Sequence, residues 1–175
     1  MKTKIGCLNL PLLILYSCLF FACSKGKNTV TINYFVTSSV SNQVDNIVFD
    51  FENTRAYTAS SSDTTYTSVY LIPQTVILNT KRPNLVNLGS SEINMDEIYG
   101  YDFWKSNATA AQNGVSMSLK EMAYWEKTFT PMRIIPQKNK VYDVVFEINM
   151  DSSLVKQTNG DVKFFPKISS KVTSR

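Results

Sequence analysis

The chain has 175 residues, a formal net charge of +4, three cysteines and no histidine. Without histidine there is no Ser-His-Asp or Cys-His nucleophile, no His-ligated zinc and no ordinary general base near neutral pH, which leaves only carboxylate, Lys or Tyr chemistry. The small, unclustered charge excludes the basic footprint of a nucleic-acid binder, so neither a nucleic-acid partner nor a cofactor is expected.

The first element in chain order is an export segment. Lys2 and Lys4 form a charged start, residues 5–21 an apolar run, and Ala22 supplies the small residue a signal peptidase needs. Asn9 and Pro11 interrupt the run, which is too short for a confident membrane span of about 20 apolar residues. Cys23 follows directly.

Leu19-Phe20-Phe21-Ala22-Cys23 resembles the lipobox of bacterial lipoproteins, in the loose form of Bacteroidota-type envelope lipoproteins. The resemblance covers about the first 27 residues, and the bulky Phe21 departs from the usual pattern. It implies a signal peptide over 1–22, lipid on Cys23, a tether over 23–29 and a folded domain over 30–175. It also implies an outer-membrane location. Two or three acyl chains hold firmly, because each buried methylene contributes roughly 0.8 kcal/mol. Ser24, Lys25, Gly26 and Lys27 include no acidic residue, so the periplasmic face and the cell surface both stay open.

Removing 1–22 leaves 153 residues, enough for one domain with its own core, and takes the charge from +4 to +2 as Lys2 and Lys4 leave. Cys7 and Cys18 leave as well, so a disulfide framework, a thiol nucleophile and a cysteine zinc site are all excluded.

The mature chain reads as strands. Val30, Ile32, Tyr34 and Val36 alternate with more polar residues, as do Ile47, Phe49 and Phe51. The Ser/Thr run 57–68 is expected to be a mobile connection. Pro73, between Val69–Ile72 and Thr75–Leu78, predicts an edge strand or a bulge between two short strands. Residues 81–114 lack clear alternation and are expected to be a long irregular segment, with at most a helical turn at 95–98. Residues 118–127 fit either a strand or a helix opened by the Ser118-x-x-Glu121 pattern. The strongest pattern is Tyr142, Val144, Phe146, Ile148 and Met150 against Val141, Asp143, Val145, Glu147, Asn149 and Asp151. A final hairpin is expected around Asn159-Gly160. About seven or eight strands with no alternating helices predict an all-β fold, a single antiparallel β-sandwich of immunoglobulin-like type, without the Cys-Trp-Cys spacing of true immunoglobulin domains. Signal and strand pattern together resemble small immunoglobulin-like envelope lipoproteins.

Tyr99, Tyr101, Asp102, Trp104 and Asn107 form the candidate ligand-binding set. Flat aromatic rings stack on the apolar faces of sugars, and carboxylates and amides supply hydrogen bonds; the competing reading is an aromatic core plug. Asp63-Thr64-Thr65 resembles short O-glycan acceptor sites of Bacteroidota-type envelope proteins, which makes Thr64 a candidate for glycosylation. Asp143 and Glu147 are too far apart along one strand for a glycosidase pair, and no calcium-loop spacing occurs, so no metal or catalytic residue is expected. The expected function is a non-catalytic envelope lipoprotein, membrane-bound through its lipid, that binds a protein or glycan partner through loops. The alternatives are a structural subunit of an envelope assembly and a carboxylate-based glycan hydrolase.

Overall fold

The computed structural model describes residues 29–59, 64–94, 97–119 and 126–175. The signal segment, Cys23 and the tether before Thr29 therefore lie outside the described residues, as do Met95 and Asp96 and most of 118–127.

The described residues form an all-β sandwich. One sheet has the order β12 (Ile168–Ser174), β9 (Val141–Ile148), β1 (Thr29–Ser38), β5 (Val86–Asn94). The other is built on two long antiparallel strands, β2 (Asn46–Ala59) and β6 (Glu97–Gln112). β3 (Thr64–Val69) and β4 (Gln74–Asn79) lie end to end along the free side of β2. β7 (Val115–Ser118) and β8 (Glu126–Ile134) do the same along β6. Pro73 thus separates two edge strands, as its missing N–H requires. A short hairpin, β10 (Leu154–Lys156) and β11 (Val162–Phe164), follows the helical turn α1 (Met150–Ser153).

Among the described residues every ladder is antiparallel except β1–β9, which runs parallel with Thr31 opposite Val141. Three sequence expectations are corrected. Among the described residues the strands number twelve, not seven or eight. Residues 81–114 are not a long irregular segment but hold β5 and β6. Of residues 57–68, expected as a mobile connection, the described ones are strand: Tyr57 pairs with Tyr66 and Thr58 with Thr65 between β2 and β3, where a threonine-rich sequence suits extended backbone, and residues 60–63 lie outside the described residues.

The alternation of β1 and β9 decides what is buried. Val30, Ile32, Tyr34 and Val36 face Tyr142, Val144, Phe146 and Ile148 in one core with Ile47, Phe49, Phe51, Tyr101 and Phe103 of the other sheet. Edge-to-face aromatic contacts tie the layers together: Tyr34–Tyr101 at 5.6 Å, Tyr101–Phe146 at 5.9 Å and Phe103–Phe146 at 5.3 Å. Each such pair contributes about 0.5–1.5 kcal/mol beyond its buried area. Burial pushes the Tyr34 hydroxyl up to about 12 and raises Tyr101 as well, so both stay protonated. Phe164 of β11 closes one end of the core, 6.3 Å from Phe49, with the Lys105 ammonium 5.1 Å from its ring centre.

The strand directions give the sandwich two poles. Thr29, Asn94, Glu97, Ile134, Val141 and Ser174 all lie at strand ends at one pole, where the described chain begins. Ser38, Val86, Asn46, Asn79 and Gln112 lie at the other. There Asn113 (φ 52°) and Gly114 (φ 77°) make the two-residue turn joining β6 to β7. This is the left-handed pair that a tight hairpin demands. Along the side where β4 approaches β5, the Asn84 side chain caps the edge. It donates to the Ile77 carbonyl (3.0 Å) and accepts from the Asn79 N–H (2.7 Å).

Candidate functional site

One face of an antiparallel sheet normally meets water and carries polar residues. On the β2–β6 sheet that face is aromatic at the lower end, toward Thr29. The register sets Tyr57 opposite Gly100, Arg55 opposite Asp102 and Asn53 opposite Trp104; across β6, Phe129 of β8 lies opposite Asp102. Thr54, Ala56, Tyr101 and Phe103 point the other way, into the core.

Bulges bring further groups onto the outer face. The β2–β6 register slips at Tyr57/Thr58, which leaves Tyr99 as the extra residue and sets its ring 5.9 Å from Tyr57. Phe129 meets Tyr57 edge-on at 5.3 Å and covers Gly100. A Cβ at Gly100 would lie 2.4 Å from the Phe129 ring, so glycine is what lets that ring sit down. Arg55 stacks its guanidinium 4.8 Å from the Trp104 ring centre.

Asp102 sits in the middle of this cluster and is fully buried, although its strand position is on the outer face. The Tyr57 hydroxyl donates to Asp102 Oδ2 at 2.6 Å, and the Asp102 backbone carbonyl accepts from Thr54 Oγ1 at 2.6 Å. A carboxyl group so placed fixes Tyr57 through this short hydrogen bond and leaves the exposed contacts to the rings around it. Phe129 is 46% exposed; Tyr57, Tyr99 and Trp104 are half-buried.

Farther along the same face the character becomes polar. Asp50 accepts from Thr75 Oγ1 (2.8 Å) and from Asn107 Nδ2 (3.1 Å), and Ser106 Oγ donates to Glu52. Asn107 (φ 39°) is itself the extra residue of a bulge, a backbone position asparagine tolerates.

The five residues singled out in the sequence therefore separate. Trp104 and Tyr99 stand on the aromatic face, and Asp102 lies beneath it as an organiser rather than a surface contact. Asn107 stands exposed at the polar end. Tyr101 is corrected: it is core, with no surface exposed, because it shares the inward row with Phe103. The site is also not a loop, since all five lie on β6. Arg55, Tyr57 and Phe129 were missed. The alternation of Asn53, Arg55 and Tyr57 with Thr54, Ala56 and Thr58 was the signal that could have found the first two. Thr64 begins β3 opposite Ala59, at the foot of the β2–β3 hairpin.

The carboxylates of β9 lie on the outer face of the other sheet. Asp143 is held by Arg175 (2.8 Å) and Asn33 (2.7 Å), and Glu147 by Lys171 (2.7 Å). The Arg175 guanidinium, then the Asn33 amide, lower the Asp143 carboxyl below its usual range. Asp151 is not in that row; it lies in α1 and accepts from Ser41 Oγ at 2.7 Å. No cluster of three metal-ligating side chains occurs among the described residues.

Compared with protein-family models, with curated proteins and with solved structures, the chain matches none.

Proposed function

We propose that the chain is a non-catalytic, lipid-anchored binding module of the bacterial outer membrane, and that its ligand surface is the aromatic outer face of the β2–β6 sheet. The ligand class is a glycan. The observation that carries this reading is the set Tyr57, Tyr99, Trp104 and Phe129 on a face that ordinarily carries solvated polar residues. The rings are positioned by a buried carboxylate and two bulges. Exposed rings stack on sugar C–H faces, and the Asp50, Asn107 and Glu52 groups farther along supply hydrogen-bond partners. Asp143 and Glu147 stand in surface ion pairs on the other sheet, away from the aromatic face, which fits the non-catalytic reading.

The test is glycan-array binding by the folded chain, repeated with Phe129→Ala and Trp104→Ala. Binding that both substitutions weaken at least tenfold, with the melting curve still cooperative, supports the reading. Binding that neither affects refutes this surface.

A second reading, a subunit of an envelope assembly, is favoured by Tyr70 and Ile72. They are 85% and 82% exposed on the rim of an uncharged groove of about 630 Å³ between the β3–β4 connection and β5. Large exposed apolar side chains mark contact surfaces. A complex that survives detergent extraction and dissociates on Ile72→Glu would favour it.

A further inference from the structure

If Cys23 is lipidated, as the proposed function holds, six residue steps separate it from Thr29, a reach of at most about 20 Å. The two poles are nine strand steps apart along β1, about 30 Å. The pole where Thr29 enters the fold is therefore the one held against the bilayer.

That pole carries the connection between β8 and β9, residues 135–140. The Tyr142 hydroxyl pins it, donating to the Ile135 carbonyl (3.2 Å) and accepting from the Gln137 N–H (3.1 Å). The Lys140 N–H donates to the Gln137 carbonyl at 3.1 Å, and Asn139 takes the left-handed conformation (φ 64°) that closes the turn. What this fixed turn offers outward is Ile135, 55% exposed, and the exposed Lys138 and Lys140. Among the described residues neither lysine has an ion-pair partner. Of the other described charges at this pole, Arg133 is paired with Glu97 at 2.7 Å and Arg175 with Asp143 at 2.8 Å, while Glu92 lies exposed on β5 opposite Thr31. The turn itself, residues 135–140, carries Lys138 and Lys140 and no acidic residue.

We propose that the β8–β9 turn is a second membrane contact, with Ile135 entering the headgroup layer and Lys138 and Lys140 meeting the phosphates of an anionic bilayer. An anchor alone leaves the domain free to swing. Lipid tether and basic turn together stand it upright, with the strands of the aromatic face running away from the membrane.

The experiment uses the full chain, exported and lipidated. Once Cys23 is a thioether, Gln137→Cys gives a single reactive thiol in the turn, and Asn42→Cys gives one at the opposite pole, where Asn42 is exposed between β1 and β2. Each is labelled with a fluorophore and reconstituted into vesicles containing headgroup-quencher lipids, either of phosphatidylcholine alone or rich in phosphatidylglycerol. The turn label should be quenched strongly in the anionic vesicles and the label at position 42 should not. Lys138→Gln with Lys140→Gln should lower the docked-to-undocked ratio about 30-fold, from the usual contribution of a lysine near an anionic surface. Equal quenching at both poles, or quenching indifferent to the two lysines, overturns the proposal. Palmitate incorporation is read on the same sample: a labelled chain without the quenching difference sinks the turn contact alone, and an unlabelled one sinks the anchor reading with it.

Discussion

Tyr101 and Trp104 are three residues apart on β6 and face opposite ways, and alanine at each should separate core from surface. Tyr101 has no exposed surface and meets Tyr34 at 5.6 Å and Phe146 at 5.9 Å. Truncating a buried aromatic costs about 3–5 kcal/mol, transfer and cavity together. For a domain of this size each kcal/mol moves the midpoint by about 3 °C, so Tyr101→Ala should lower Tm by about 10–15 °C. Trp104 is half-buried and loses partial burial and one stacked guanidinium, together about 1–2 kcal/mol, or about 3–6 °C. Thermal melts followed by circular dichroism, with urea titrations for the free energies, measure both. If Trp104→Ala melted as low as Tyr101→Ala, the assignment of opposite faces would be wrong and the aromatic surface would be part of the core.

Gly114→Ala places a Cβ at φ 77° in the β6–β7 turn and should cost about 1 kcal/mol, seen as a lower urea midpoint with an unchanged slope. Asn84→Leu removes the side chain that caps β4, and light scattering should show stronger concentration-dependent association than for the native chain. Asp143 has a lowered carboxyl, so its contribution is present above the ordinary carboxylate range near pH 4 and is lost as pH falls through the lowered value. Asp143→Asn should flatten that acid limb while changing neutral stability by less than about 1 kcal/mol, as for an exposed pair. Tyr34 is raised, so stability should fall as pH climbs from 10 towards 12, and Tyr34→Phe should remove part of that alkaline limb.

Strict period-two patterns were legible. β1 and β9 alternate without interruption, and their inward residues are the ones buried. The paired edge strands beside Pro73 and the β10–β11 hairpin were legible too, because proline and Asn-Gly act locally. β6 was hidden because its period is broken. Tyr99 and Asn107 are extra residues in bulges, and between them Gly100 and Asp102 on the outer face are buried as fully as Tyr101 and Phe103 on the inner one, so polarity does not mark the two faces. Glycine and asparagine, read as signs of a loop, here mark the places where a long strand bends. The bulge at Tyr34/Phe35, across from Gly89, disguised β5 in the same way. The aromatic face could be suspected from Tyr99 to Trp104 but not oriented. Arg55, Tyr57 and Phe129 come from other strands, and only the register brings them together. α1 was missed because a single turn capped by Asn149, accepting from the Ser152 N–H at 3.1 Å, carries too few residues to show a period.

The parallel pairing of β1 with β9 also bears on how the chain matures. The strand that would follow a lipid anchor first is an inner strand, and one of its neighbours is made 110 residues later. The leading part cannot reach its final form while the trailing part is still being synthesised. Such distant pairing slows assembly. Until β9 is made, one flank of β1 stays unsatisfied, and any truncation before Val141 leaves that flank permanently open to strands of other molecules.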